Sequence, residues 1–160
     1  MGRDGFSLIE MMVVVALMGI LLAIATLSFN DFSRKSRIEG QVKTLYSDLA
    51  NVRSEAMFRR AGRFTQITPN LFSVYSSNSL LGQPVRTTIL KNTVVTNESE
   101  VRFNERGLLV DADGLLLDHS IFICISGDNS AGLDSIIIGM ANIQMGKRNG
   151  ACDQASITTK

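Results

Sequence analysis

The sequence predicts an α+β fold, in which one long N-terminal helix lies on an antiparallel β-rich C-terminal domain. Three observations predict it. No proline occurs before Pro69. The stretch ahead of it is apolar all round at first and apolar on one face later. From Arg63 onward the pattern changes to short β-like runs punctuated by Gly, Asn and Asp.

The helix comes first. Met11 to Leu27 reads MMVVVALMGILLAIATL, without charge or proline. Extended to Phe6 and Phe29, it gives about two dozen mostly apolar residues, enough to span a bilayer as a helix. A soluble chain of 160 residues could not wrap so long an apolar cylinder in its own core. Glu10 interrupts the run at its head. A carboxylate at that depth costs about 2.5–3.5 kcal/mol on insertion scales, so it marks function and asks for a cationic partner. Two processing readings stay open on the residues alone. Arg3 and the Ala23-Ile24-Ala25 triplet fit a secretory signal peptide, and a simple signal anchor fits as well. Beyond the span, Arg34, Lys35 and Arg37 outnumber Arg3, which by the positive-inside rule mildly favours a cytoplasmic C-terminal side.

Past the apolar run, Ile38, Val42, Leu45, Leu49, Val52 and Ala56 fall at spacings of four and three. That is one helical stripe, and it needs a sheet to pack on. Gly62 is the expected C-terminal stop, so the helix runs from Phe6 to about Ala61, roughly 80 Å. The expected strands are Phe64–Thr68, Leu71–Ser76, Val85–Leu90, Thr93–Thr96, Val101–Asn104, Leu115–Asp118, Ile121–Ser126, Ser135–Ile138 and Asn142–Met145.

Length allows about one domain, and a net charge of +1 gives no argument for a polyanion partner. Cys124 and Cys152 have no metal-ligand spacing. A bridge between them fits an oxidising compartment and two free thiols fit a reducing one. The bridge would close a loop of about 28 residues and stabilise by roughly 3–4 kcal/mol in the chain-entropy account. Asp111-Ala112-Asp113-Gly114, and the loop carrying Asp128, Asn129 and Asp134, are oxygen-rich. The EF-hand spacing is absent, and between Leu108–Val110 and Leu115–Leu117 an Asp-Gly hairpin turn is the better account of the first. His119 stands alone at a strand entrance. No phosphate loop, dinucleotide fingerprint or nucleophile context is present, so no catalytic residue and no enzymatic activity are expected.

The run Gly5-Phe6-Ser7-Leu8-Ile9-Glu10 ahead of the apolar stretch resembles the class III signal of type IV prepilins and type II secretion pseudopilins. The resemblance implies that a prepilin peptidase cuts between Gly5 and Phe6 on the cytoplasmic face and that the new amine of Phe6 is N-methylated. It implies that Glu10 helps subunits dock and that the C-terminal part faces the periplasm, against the mild charge bias. The partners implied are other pilins or pseudopilins through the first helix, the peptidase/methyltransferase and the inner membrane. The expected organisation is a leader at 1–5, a membrane and assembly half-helix at 6–29, an amphipathic half-helix at 30–62 and a globular domain at 63–160. Leu27 stands where many members of the family carry a kinking proline, and Gly19 is the candidate substitute for local softness.

Arg53-Ser54-Glu55-Ala56, the Phe103-to-Gly107 run and the Ile121–Gly139 stretch are similar to the GspH/FimT group of minor pilins and pseudopilins. That implies a minor subunit acting in priming or at a filament tip. Some members of the group bind DNA through a late Gly-Arg-x-Arg motif; here Gly139 is followed by Met140, Ala141 and Asn142, without the arginines. Lys147 and Arg148 are the cations left to touch phosphate, and phosphate affinity needs several. Calcium occurs in some pseudopilins, and its candidate ligands are Asp111, Asp113, Asp128 and Asp134.

Overall fold

The computed structural model describes residues 7–76, 82–127 and 130–159, and of residues 24–28 the backbone alone. The chain divides into two compact units, Met1–Ser36 and Arg37–Lys160. Helix α1, Leu8–Arg59, begins in the first and ends in the second. It is unbroken through Gly19 and Leu27. The leader 1–5 and Phe6 lie outside the described residues.

The C-terminal end of α1 differs from expectation. Ala61 N–H donates to the Ala56 carbonyl at 3.2 Å, and Arg60 N–H donates to the Met57 carbonyl at 3.3 Å. This pair of bonds is a Schellman closure with Arg60 in the left-handed position, at φ 49°. Gly62 therefore lies beyond the cap, and the helix stops two residues earlier than expected.

Ten strands follow: β1 Arg63–Thr68, β2 Leu71–Tyr75, β3 Arg86–Ile89, β4 Val94–Thr96, β5 Glu100–Phe103, β6 Leu109–Val110, β7 Ile121–Ile125, β8 Ser135–Ile138, β9 Ile143–Arg148 and β10 Ile157–Thr159. They form two five-stranded sheets, β3-β2-β1-β5-β6 and β10-β9-β8-β7-β4, with every pairing antiparallel. Most expected strands are present within two or three residues of their predicted ends. Leu115–Asp118 is not a strand. Asp111 Oδ1 accepts the N–H groups of Asp113 and Leu115 at 2.9 Å each. Gly114 sits at φ +81°, so the segment turns sharply and pairs back through one isolated bridge, Val110 with Leu116, in which Asp111 N–H donates to the Leu115 carbonyl and Leu117 N–H to the Leu109 carbonyl. The hairpin reading of this Asp-Gly loop is the observed one. The short edge strands β6 and β10 have too few residues to show a two-residue period in sequence.

The stripe predicted on α1 is the centre of the core. Ile38, Val42, Leu45, Leu49, Val52 and Ala56 are all buried in one cluster. Ile67, Phe72, Val74, Val101, Phe103 and Leu109 join it from the first sheet, and Val94, Ile121, Ile123, Ile125, Ile136 and Ile138 from the second. Cys124 of β7 is bonded to Cys152, which lies in the β9–β10 loop, with Cα atoms 6.0 Å apart. The bridge ties the chain's last hairpin to the interior of the second sheet.

Two outcomes follow. Arg60→Gly removes the left-handed strain of a residue with Cβ, about 1–2 kcal/mol, and gives back part of it as unfolded-chain entropy. The denaturant midpoint should rise by the equivalent of roughly 0.5–1 kcal/mol. Cys124→Ser opens a loop of sequence separation 28. Unfolding measured without reductant should show a loss of about 3–4 kcal/mol.

Candidate functional site

The described part of the first unit is helix. Glu10 and Met11 donate their N–H groups to the Ser7 carbonyl at 3.1 and 3.3 Å, so Ser7 begins the helix and Glu10 stands in its first turn. A carboxylate there is favoured by the positive end of the helix dipole. Leu8, Ile9, Met11, Met12, Val13, Val14, Val15, Leu17, Met18, Ile20, Leu21 and Leu22 are all exposed. Nothing described in this chain covers them, and Glu10 has no ion-pair partner among the described residues. Among the described residues no helix is long and apolar enough to cross a membrane. The side chains of residues 24–28, which continue the apolar run of the sequence, lie outside the described ones, and beyond them Phe29 and Phe32 are exposed. Gly5 and Phe6 lie outside the described residues, as do the side chains of Ile24 and Ala25 from the signal-peptide triplet.

In the second unit the two motifs read from the sequence touch. Arg53 Nε donates to the Gly107 carbonyl at 2.8 Å. Glu55 Oε2 lies 3.5 Å from Arg63 Nε, whose Nη1 donates to the Ser76 carbonyl at 2.6 Å. Ala56 is fully buried in the stripe. The Phe103-to-Gly107 run is the tight β5–β6 connection. Asn104 Oδ1 accepts from Arg106 N–H and Leu108 N–H at 3.0 Å each. Gly107 closes the turn at φ +71°, and a Cβ there would lie 2.8 Å from Met57 Cγ and Sδ. The glycine is demanded twice, by backbone sign and by the approach of α1.

Polar side chains flanking the stripe pin further loops to the helix. Gly132 N–H donates to Glu39 Oε1 at 2.7 Å. Gln41 donates through Nε2 to the Asn92 carbonyl at 2.7 Å and accepts Asn92 N–H at 2.8 Å. Asp48 Oδ1 lies 3.3 Å from Arg86 Nη2, and Asp48 Oδ2 accepts the Thr88 hydroxyl at 3.3 Å. These contacts were not legible in sequence, because their partners lie about 40 to 90 residues apart along the chain.

The remaining candidates are placed as follows. Asp111 caps its own turn and Asp113 shares that loop, while Asp128 lies outside the described residues. Asp134 is 1% exposed and its Oδ1 accepts Arg148 N–H at 2.7 Å. Arg148 Nε lies 4.0 Å from Asp134 Oδ2. One predicted metal ligand and one predicted phosphate contact are thus partners of each other. Lys147 sits beside them, opposite Thr158. Among the described residues no group of three or more His, Cys, Asp or Glu could hold a metal ion. His119 Nδ1 lies 3.1 Å from Asp118 Oδ1 and Nε2 lies 3.7 Å from Glu98 Oε1, at the surface.

The described residues thus hold a helix with one carboxylate in its first turn and exposed apolar side chains, and a domain in which the same helix packs on two antiparallel sheets. Residues 1–26 match the prokaryotic N-terminal methylation motif. In fold the chain is similar to the type IV minor pilin FimU of Pseudomonas aeruginosa strain PAO1. The crystal form in space group P21 superposes with a TM-score of 0.58 at 19% identity, covering 77% of this chain and 97% of that one. The form in space group P65 gives 0.54 at 20% identity, covering 72% and 97%. No curated protein matches the sequence.

Gly107→Ala should cost about 1–3 kcal/mol in equilibrium unfolding, from the forbidden backbone sign and the contact with Met57. Adding Met57→Ala should recover only part of the loss, since it removes the clash and leaves the backbone strain.

Proposed function

We propose that the chain is a minor pilin or pseudopilin, a structural subunit that primes or caps a type IV pilus or a type II secretion pseudopilus. The reading rests on one observation above the others: an apolar helix whose described side chains from Leu8 to Leu22 are exposed, with one carboxylate at its head. In the precursor the bilayer covers that surface. In the filament the helices of other subunits do so. Cleavage between Gly5 and Phe6 by a prepilin peptidase creates a cationic amine one turn from Glu10. Glu10 of an incoming subunit pairs with the amine of a neighbour. In a water-poor interface the pair is attractive, and leaving the carboxylate unpaired is costly. One charge pair then sets the register of an otherwise uniform apolar contact. The Cys124–Cys152 bridge supports a periplasmic domain, since disulfides persist in oxidising compartments. The domain works by shape and contact, without catalysis.

Two variants test this in cells. Glu10→Ala should be processed, by N-terminal mass, but recovered in sheared filaments or crosslinked pilin complexes at a small fraction of the wild-type level; normal recovery would remove the docking role. Gly5→Val should keep residues Met1–Gly5 attached and accumulate in the inner membrane. A mature N-terminus at Phe6 in that variant would overturn the processing step.

A further inference from the structure

A furrow runs between α1 and β3. On the helix, Arg37, Gly40, Thr44 and Asp48 follow one another at spacings of three and four, so they line one side of it. The other side is the chain from Thr88 to Lys91. Two contacts fix which residues face each other. Thr88 donates its hydroxyl to Asp48 Oδ2, and Asn92 is bonded to Gln41. Lys91 therefore lies at the Arg37 end of the furrow and Thr88 at the Asp48 end.

The furrow has room for about 340 Å³. Its floor is apolar, since Leu45 and Leu90 are 1% and 5% exposed. Gly40 leaves it open, because a Cβ added there would meet nothing within 4 Å. Asp48 is neutralised by Arg86. Arg37 and Lys91 have no ion-pair partner among the described residues. One end of the furrow thus carries two uncompensated cations, and the other carries hydrogen-bond acceptors. Thr44 donates its own proton to the Gly40 carbonyl at 2.9 Å, which leaves its oxygen to accept from a ligand hydroxyl. The Asp48 oxygens keep acceptor capacity as well.

We propose that the furrow holds the headgroup of an anionic phospholipid with a polyol head, such as phosphatidylglycerol. The phosphate sits between Arg37 and Lys91, and the hydroxyls reach toward Thr44 and Asp48. Charge-assisted bonds from both cations suit a phosphate. The place of the furrow along the chain argues for a lipid as its source. Arg37 comes eight residues after Phe29. Helical side chains lean toward the helix N-terminus, which for Arg37 is the direction of the apolar run. The inference rests on the reading that this run lies in a bilayer in the precursor. It adds a specific lipid contact, made by the domain.

The test uses the full chain purified in zwitterionic detergent. Phosphatidylglycerol and phosphatidylcholine with the same acyl chains are added, and retained lipid is counted by native mass spectrometry. Phosphatidylglycerol should be retained in preference. Arg37→Gln and Lys91→Gln should each lower its retention roughly fivefold, which corresponds to about 1 kcal/mol per cation. Gly40→Leu should abolish the preference with every charge in place, and leucine keeps the helix better than glycine does. Lys43→Gln, which removes an exposed charge of the same helix outside the furrow, should change nothing. Equal retention of the two lipids, a loss with Lys43→Gln as large as with Arg37→Gln, or a full preference in Gly40→Leu would overturn the site. Phosphatidylmethanol, of equal charge but without hydroxyls, should be retained less well; equal retention would overturn the hydroxyl contacts. Glycerol phosphate without acyl chains, if held as strongly as the lipid, would overturn the lipid as the source. Fractionation of the producing cells separates the site from the anchor. A chain in the membrane fraction without lipid preference overturns the headgroup site alone, and a chain in the soluble fraction overturns the bilayer reading with it.

Discussion

Both sheets are built on the buried stripe of α1. Ile38, Val42, Leu45, Leu49, Val52 and Ala56 meet inward-facing side chains from both sheets in a single core. A fully buried Val, Leu or Ile contributes roughly 1.5–3 kcal/mol. A single polar clamp such as Gln41–Asn92 or Arg53–Gly107 contributes about 0.5–1.5 kcal/mol net. The stripe therefore supplies most of the cohesion. The clamps decide which loop lies over which turn of the helix, which the nondirectional apolar contact cannot do.

That division of labour explains why the motifs at Arg53–Ala56 and Phe103–Gly107 belong together. The helix can approach the β5–β6 turn only if Gly107 has no side chain, and the approach brings the Gly107 carbonyl to Arg53. The Schellman closure at Arg60 then turns the chain so that Arg63 starts β1 while still in reach of Glu55. Helix end, first strand and β5–β6 turn form one joint, in which each contact depends on the others' geometry.

At its other end the same helix is exposed. Between Leu8 and Leu22 the described apolar side chains are exposed. Glu10 is the one charged residue of that stretch. The two stretches of one element thus differ: the stripe from Ile38 onward is buried in the core, and the apolar side chains from Leu8 to Leu22 are not.

The sequence by itself determined the helix, its two kinds of surface, most strand positions and the head of the apolar run. Those depend on local periodicity and on a signal written in consecutive residues, Gly5 to Glu10. Only the tertiary structure decided the rest. It arranged the strands into two sheets and joined Arg53 to Gly107. It paired Asp134 with Arg148, two residues that sequence reading had assigned to different ligands. The physical reason is distance along the chain: such contacts are chosen by how buried faces close on one another, and no local pattern of residues carries that choice.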